Sequence, residues 1–587
     1  MKLSDAVLNF LAAKGVEKCF SVTGGAAAHI FDSLSRSPIE TIHMHHEQSC
    51  AMAADGYARI AKKPALVVIT NGPGVSNAIT GVLGAFQDSI PMIVISGQVP
   101  TTQMLSNSGG AKRQFGVQEV ETGPLVSSIV KYFVCIQHES ELQEQLNKAW
   151  KFATTGRPGP VWIEIPLNIQ AREVEQIQMT AILSTDTTPR YRECIEAINS
   201  AKKPILVIGA GVHTSNSENE LIRFATLLRI PVVSTWGAND IFPAEHSLYL
   251  GNFGILGNRI PNIAVQESDL LLILGSRMSI PNTGYETKLF SPNSFKIMVN
   301  IDSDEMNKSS LEVNLAIESD LKKWLTNFPL EEIEKGEIFE RWNSKLNSLS
   351  EEFGLHREEI IYEARKIDSY DVVECISKLI ESDATLVTDM GTSFTCTMQA
   401  FRNLHKTRLF TSSGTSSMGF GLPGAIGAYF ADPKRPIYLI AGDGGFQMNL
   451  QELQTVKYHR IPIKIIILNS DGYLAVSIMQ QNLFEGNFVG SNPQSGLDSP
   501  RFTKIAKAFG IKSRAALTKK KLERYLRKNR KRQSAYLLEV QISSKQLMRP
   551  RSQSLRKSDG TMYSKGIEVM WPFLSQKDLD LIQSKLG

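Results

Sequence analysis

The chain has 587 residues, 42% of them apolar and 21% charged, with a net charge of +5. At roughly 100–200 residues per domain, that length predicts three or four domains, and the ordinary composition excludes disorder, collagen and coiled coil as the main architecture. The basic excess is local: Lys519 to Arg532 holds nine Lys/Arg and one Glu, and the remaining chain has 55 basic against 58 acidic residues, or −3.

No run approaches the roughly 18 apolar residues of a membrane span. The opening MKLSDAVLNFLAAKG predicts an amphipathic helix rather than a signal peptide, because Asp5 and Lys14 interrupt the apolar run. The six cysteines (Cys19, Cys50, Cys135, Cys194, Cys375, Cys396) lie far apart without a C-x-x-C pair. Free thiols in a reducing cytoplasm are the expectation.

In chain order, ALVVIT (65–70), MIVIS (92–96), VWIEIP (161–166), ILVIG (205–209), LLLILG (270–275), IYLIA (437–441) and IKIIILN (463–469) read as strands separated by helical patterns. Strands apolar on both faces and alternating with helices predict α/β architecture: doubly wound parallel sheets covered on both sides. The segment 168–200 is polar and weakly periodic, and 330–370 is charged and helical without a strand. These breaks predict three α/β domains, 1–167, 195–330 and 368–545, followed by a tail, 546–587.

The first chemistry-bearing stretch is TIHMHHEQSCAMAADGYARIAKK (41–63), a strand running into a helix with Glu47 in its first turn. A lone Glu there is most simply favoured by the helix dipole. The face Cys50, Ala51, Ala53, Ala54, Gly56 is nearly free of side chains, however, and predicts close packing. Gly72-Pro73-Gly74 then places bare backbone between a strand and a helix, beside a ligand, a neighbouring chain or nothing more than a plain turn. The strongest stretch is IYLIAGDGGFQMNLQELQTVKYHRIPIKIIILNSDGY (437–473). A strand ends at Ala441, Gly442-Asp443-Gly444-Gly445 follows, and a helix is expected over 449–458. A carboxylate at the carboxyl end of a parallel strand lies where open sheets bind ligands. The glycines admit an anion, and Asp443 with the turn Ser470-Asp471-Gly472 offers oxygens to a hard cation such as Mg²⁺.

Together these motifs resemble the thiamine-diphosphate (ThDP) enzymes, in their acetolactate synthase-like branch. The resemblance covers nearly the whole chain: VTGGAAAHIFDSL (22–34), HHEQSCAMAADGYAR (45–59), NGPGVSNAITG (71–81), GTSSMGFGLPGAIGA (414–428) and GDGGFQMNLQELQT (442–455). It is greatest with members associated with surface-polysaccharide pathways, which share the DGY turn and a tail like SDGTMYSKGIEVMWPFL (558–574). The resemblance implies a pyrimidine-binding first domain, a central domain and a third domain binding diphosphate and Mg²⁺. Glu47 would hydrogen-bond the pyrimidine and act as catalytic acid–base, with Gln118 and more weakly His46 handling substrate protons. Gly24, Gly25, Gly74, Asn77, Gly391, Thr392, Met418, Gly444 and Gly445 would contact the cofactor, Met418 as its apolar prop. Asp443, Ser470 and the Gly472 carbonyl would hold Mg²⁺. The middle domain, with Gly209 and Gly211, is either an FAD site or structural.

Three positions depart from the family pattern. Ser470 replaces the usual Asn ligand, which implies weaker metal binding, with an inactive paralogue as the alternative. The Phe-Gln pair of acetolactate synthases reads Val117-Gln118, and Met479 stands where their acceptor pocket has Trp. Two lost aromatics leave room for a larger acceptor. The expected activity is decarboxylation of a pyruvate-like 2-oxo acid with carboligation to a second carbonyl, a 2-oxo acid or a keto-sugar. A simple decarboxylase or oxidase is the alternative. The expected active unit is a homodimer or homotetramer in the cytoplasm, without membrane or nucleic-acid partners. The non-enzymatic rival is an anionic-surface or nucleic-acid binder using 519–532. Against it, Leu517, Leu522, Tyr525 and Leu526 form an apolar stripe, so the segment reads as a surface helix with a solvated basic face.

Overall fold

A computed structural model describes residues 1–109, 112–178, 189–334, 336–358 and 363–586. The Val/Ile/Leu runs form strands buried on both faces, as a sheet covered by helices requires. Among the described residues they build three six-stranded sheets, parallel throughout, and two small antiparallel pairs. The first sheet holds β1 (Lys18–Ser21), β2 (Glu40–His43), β3 (Ala65–Ile69), β4 (Met92–Gln98), β5 (Tyr132–Cys135) and β6 (Pro160–Pro166). The central sheet holds β7 (Pro204–Ile208), β8 (Val232–Ser234), β9 (Tyr249–Asn252), β10 (Leu270–Leu274), β11 (Phe295–Asn300) and β12 (Leu315–Glu318). The third holds β13 (Thr385–Thr388), β14 (Arg408–Phe410), β15 (Ile437–Gly442), β16 (Lys464–Asn469), β17 (Lys512–Ala516) and β18 (Tyr536–Gln541).

Numbered within each sheet, the first and third share the spatial order 2-1-3-4-6-5, whereas the central sheet runs 3-2-1-4-5-6. Each order reverses direction near its middle, and at such a point the loops beyond the strand ends splay apart and leave a crevice. In the first sheet the reversal lies between β1 and β3, in register with Ser21 opposite Val68. In the third it lies between β13 and β15, with Thr388 opposite Ile440. In the central sheet it lies between β7 and β10, with Ile208 opposite Leu274.

The first and third sheets share more than strand order. The helix after β2, Glu47–Ala61, packs on the helix after β14, Gly421–Ala431. Their backbones approach so closely that a Cβ on Gly427 would lie 1.8 Å from Ala53 O, and one on Gly56 would lie 2.1 Å from Gly424 O. The small-residue face of the 47–61 helix therefore meets the third sheet's own helix. One apolar core runs through both units, from Phe20 and Ile42 to Phe410 and Leu439. The central sheet has separate cores.

The segment after β18 is docked rather than trailing. Arg259 donates to the carbonyls of Met570 and Pro572, at 3.1 and 2.6 Å, and Ile567, Ile582 and Leu586 join a central-domain core. The basic stretch forms a helix over Lys519–Asn529, with Leu522 and Leu526 buried and Thr518 capping its start. Lys519 pairs with Asp371 at 2.5 Å. All six cysteines are free thiols. Among the described residues no helix is long and apolar enough to cross a membrane.

Candidate active site

The first-domain half of the site gathers at the β1/β3 crevice. Glu47 opens its helix and is buried, and its Oε2 accepts a 3.0 Å hydrogen bond from Asn77 Nδ2 on the following helix, Pro73–Gln87. The other carboxylate oxygen faces Gly74, whose added Cβ would sit 3.6 Å from Oε1. Gly24 and Gly74 both close on Thr70, at 2.4 and 3.1 Å from such a Cβ, whereas Gly25 faces open space. Glu47, Asn77, Gly24, Gly25 and Gly74 thus come together, with Thr70 as a further member. His46 does not point at Glu47's carboxylate; its Nδ1 caps the helix by accepting from Gln48 N at 3.1 Å.

Gln118 lies at the edge of this group. Asn71 Nδ2 donates to Val117 O at 3.0 Å, and Gly72, at φ +55°, packs so tightly that a Cβ would meet Gln118 O at 2.2 Å. Gln118 itself adopts φ +56°, and the Val117 side chain is 78% exposed. Two buried carboxylates hold this loop. Glu119 accepts from the backbone of Leu105, Phe115 and Gly116. Glu164, on β6, accepts from the Thr122 hydroxyl and from Gln98 Nε2, which also bonds Val120 O at 3.0 Å. Burial pushes the Glu164 carboxyl up to about 7.

The third-domain half gathers at the β13/β15 crevice. The helix expected over 449–458 in fact starts at Asp443, breaks at Asn449 and resumes at Leu453–Tyr458. The Asp443-Gly444-Gly445 stretch is therefore a helical first turn, whose N–H groups have no acceptor within the helix itself; that of Gly444 is turned to the Asp443 carboxylate. Asn449 leaves the helix because its side chain is committed elsewhere: it donates to Gly419 O at 2.9 Å and accepts from Ser49 Oγ at 3.0 Å.

Asp443 is buried, and burial raises its carboxyl above the ordinary range against the pull of its donors. Its Oδ2 accepts from Ser470 N and Gly472 N, both at 3.0 Å, and from Ser499 Oγ at 2.9 Å; Oδ1 accepts from Gly444 N at 3.1 Å. Ser470 Oγ in turn lies 3.0 Å from Gly472 O. Carboxylate, hydroxyl and carbonyl oxygens thus converge without nitrogen or sulfur ligands, a donor set for a hard cation.

Beside it, Gly391 at φ +84° faces open space and precedes the helix Thr392–Ala400. Thr392 Oγ1 is buried there without a hydrogen-bond partner among the described residues. Met418 and Tyr473 close over Gly444, at 3.2 and 2.2 Å from an added Cβ. Met479, on the helix Leu474–Leu483, is 40% exposed.

Two further carboxylates belong to the site without having stood out in the sequence. Asp389 accepts from Met390, Gly419 and Gly421 N–H groups, tying the Gly391 turn to the Met418 loop, and burial lifts it to about 6. Its signal was legible, since it follows β13 just as Asp443 follows β15. Glu452 accepts from His45 N at 3.2 Å, across the first- and third-domain boundary. Ser499 carries no local signal, because a 56-residue separation brings it to Asp443.

Among the described residues, no hydrogen bond or ion pair joins Glu47 to the Asp443 cluster; one chain carries two half-sites. In the central domain, the Gly209-Ala210-Gly211 turn packs on the Gly275-Ser276 backbone. A Cβ on Gly209 would lie 2.4 Å from Gly275 O, and Gly211 N donates to that carbonyl at 2.8 Å.

Three family profiles match in order. They are the thiamine pyrophosphate enzyme N-terminal TPP-binding domain over 1–121, its central domain over 191–328 and its C-terminal TPP-binding domain over 389–540. The chain is 32% identical to the acetolactate synthase isozyme 1 large subunit of Escherichia coli over 519 residues, covering 87% of this chain and 88% of that protein. Isozyme 2 of the same organism is 32% identical, covering 91% and 94%, and the chloroplastic acetolactate synthase of Arabidopsis thaliana is 32% identical, covering 88% and 78%. With all three domains matched in order and identity sustained across nearly the full length, the chain belongs to the thiamine-diphosphate-dependent, acetolactate synthase-like family.

Proposed function

We propose that the chain uses thiamine diphosphate and Mg²⁺ to decarboxylate a 2-oxo acid of the pyruvate type and to form a carbon–carbon bond with a second carbonyl. The observation that carries this reading is an unmet demand at the third-domain crevice. Thr392 Oγ1 is buried without a partner beside the open face of Gly391, next to the all-oxygen Asp443 cluster. A buried hydroxyl without a partner costs about 1–3 kcal/mol, which a diphosphate oxygen would relieve. Asp443, Ser470 and the Gly472 carbonyl fit Mg²⁺, and Gly444, Gly445, Gly391 and Thr392 fit the diphosphate. Met418 is the prop, while Glu47, with Gly24, Gly25, Gly74 and Asn77 around it, would hold the pyrimidine end.

When bound, thiamine diphosphate supplies the electron sink that carbon dioxide loss from a 2-oxo acid requires. The chain's own residues supply position and proton control. Asn77 fixes one Glu47 oxygen and leaves the other toward the Gly74 turn, where it can hold or give up a proton. Gln118 presents a side-chain amide from a loop fixed at both ends. Val117 and Met479, lacking the aromatic bulk of the family pattern, would leave room for an acceptor larger than pyruvate, such as a keto-sugar.

The two half-sites on one chain imply that copies pair so that Glu47 of one faces Asp443 of another. Phe115, Val117, Leu483, Phe484 and Val489 are large apolar side chains between 44 and 78% exposed, as surfaces awaiting a second copy would be. We read 1–167 as the pyrimidine domain, 195–330 as the central one, 368–545 as the diphosphate domain and 546–587 as a strap on the central domain. The central glycines are accounted for by backbone packing, which favours a structural role for that domain over a flavin site. Six free cysteines suit a cytoplasmic enzyme.

The test is carbon dioxide release from a panel of 2-oxo acids with thiamine diphosphate and Mg²⁺, with and without carbonyl acceptors, beside Glu47→Gln. Loss of about 10²–10⁴-fold in the variant is expected. A variant matching wild type would remove Glu47 from catalysis, and release with no acceptor product would point to a simple decarboxylase.

A further inference from the structure

Ser470 stands where the family pattern has an amide ligand, and a serine hydroxyl reaches one covalent bond less far than an amide oxygen. Loss of reach at one ligand matters for Mg²⁺, which demands near-ideal octahedral geometry. Ser499 stands beside Asp443. Its hydroxyl is 2.9 Å from Asp443 Oδ2, while Ser470 Oγ is 3.0 Å from Gly472 O. Metal–oxygen bonds of about 2.0–2.1 Å place neighbouring octahedral donors about 2.8–3.0 Å apart. Both contacts are hydrogen bonds, donated by Ser499 to Asp443 and by Ser470 to Gly472, and their lengths also match the spacing of adjacent ligands around one small cation once the hydroxyl protons turn away.

Ser499 is also held in place from both sides. On its carboxyl side Phe502 is fully buried and Thr503 N donates to Glu539 Oε2 at 2.9 Å. On its amino side, Ser491 O accepts from Tyr473 N at 2.8 Å and presses on Gly472, whose added Cβ would lie 2.4 Å from it. Asn492 and Ser495 cap the turn between them. Anchoring of the chain on either side of Ser499 limits where its hydroxyl can stand, which is what a ligand position requires.

We propose that Ser499 completes the cation site, its hydroxyl oxygen acting as a fourth protein donor beside Asp443, Ser470 and the Gly472 carbonyl. It offsets the reach lost at Ser470. The assignment presupposes Asp443 as a cation ligand, the reading given under Proposed function.

The experiment measures Mn²⁺ binding to the full-length chain in saturating thiamine diphosphate by electron paramagnetic resonance, with Cd²⁺ and Mg²⁺ as competitors. Ser499→Ala is expected to weaken Mn²⁺ about tenfold, and by less than about threefold once Ser470→Asn restores an amide. Ser499→Cys, close in volume, exchanges a hard for a soft donor and should raise the preference for Cd²⁺ over Mg²⁺ at least about tenfold. An unchanged Cd²⁺/Mg²⁺ preference in Ser499→Cys overturns the proposal even if the alanine variant fails to fold. An equal loss for Ser499→Ala with and without Ser470→Asn overturns it too, since Ser499 would then only orient Asp443. If Asp443→Asn binds Mn²⁺ like wild type, it is the placement of the cation at Asp443 that falls.

Discussion

Replacing Glu164 by Gln should make the protein more stable at alkaline pH, by an amount that vanishes in acid. The carboxyl is 2% exposed, and burial moves it from the ordinary 4.5 to about 7. Among the described residues no cation compensates: its partners are the Thr122 hydroxyl, Gln98 and the Cys135 thiol, and Glu119 adds like charge. A carboxyl raised on folding binds more protons in the native than in the unfolded chain, so stability is highest below about 4.5 and falls as pH rises toward 7. That gap corresponds to about 3 kcal/mol at roughly 1.4 kcal/mol per pH unit. Gln keeps an acceptor for Thr122 and carries no charge at any pH. Thermal unfolding of both proteins from about pH 5 to 8.5 should give near-equal midpoints in acid and a variant midpoint higher by about 2–5 °C at the alkaline end. A difference that does not change with pH, or one that favours wild type in alkali, would refute the assignment of Glu164 as a buried, uncompensated carboxyl.

Other outcomes are as specific. Thr392→Val should leave the cofactor-free protein as stable as wild type or slightly more so, since the hydroxyl has no partner to lose, yet weaken thiamine diphosphate binding about tenfold by calorimetry. Gly427→Ala places a methyl 1.8 Å from Ala53 O and should cost more than about 3 kcal/mol, read as loss of soluble, cooperatively melting protein; a stable variant would contradict the close helix crossing. Asp389→Asn unties the Gly391 turn from the Met418 loop and should raise the thiamine diphosphate dissociation constant more than it lowers kcat. Reversing Lys520, Lys521 and Arg524 on the solvent face of the 519–529 helix should move the melting midpoint little, within about 0.5 kcal/mol, and wild type should not retain RNA at low salt; salt-dependent retention would revive the basic helix as a binding surface.

The α/β class was legible because strands buried on both faces are apolar at every position, a signal that needs no tertiary information. Asp443 was legible for a related reason: a carboxylate just after such a strand is placed by the strand itself. Asp389 obeys the same rule, but Asp389-Met390-Gly391 lacks the glycine pair that marks the acid at Asp443. The helix break at Asn449 could not be read locally, since the side chain leaves the helix to bond Ser49 and Gly419 from distant segments. Likewise the small residues of the 47–61 helix announced close contact but not with what, and the partner turned out to be an equivalent helix more than 350 residues on.

The charge balance shows the same division. The amino-acid sequence by itself determined that the basic excess is confined to one amphipathic stretch, because charge and hydrophobic spacing are properties of order along the chain. It also determined three α/β units, the motifs that make this a thiamine-diphosphate enzyme, and the residues Glu47 and Asp443 at strand ends. Only the tertiary structure decided that the first and third units share a topology and a core, that Glu119 and Glu164 fasten the Gln118 loop, and that Ser499 reaches Asp443. Those contacts depend on which strand ends lie side by side, and the spatial order of parallel strands is set by packing across the whole sheet rather than by any local run of residues.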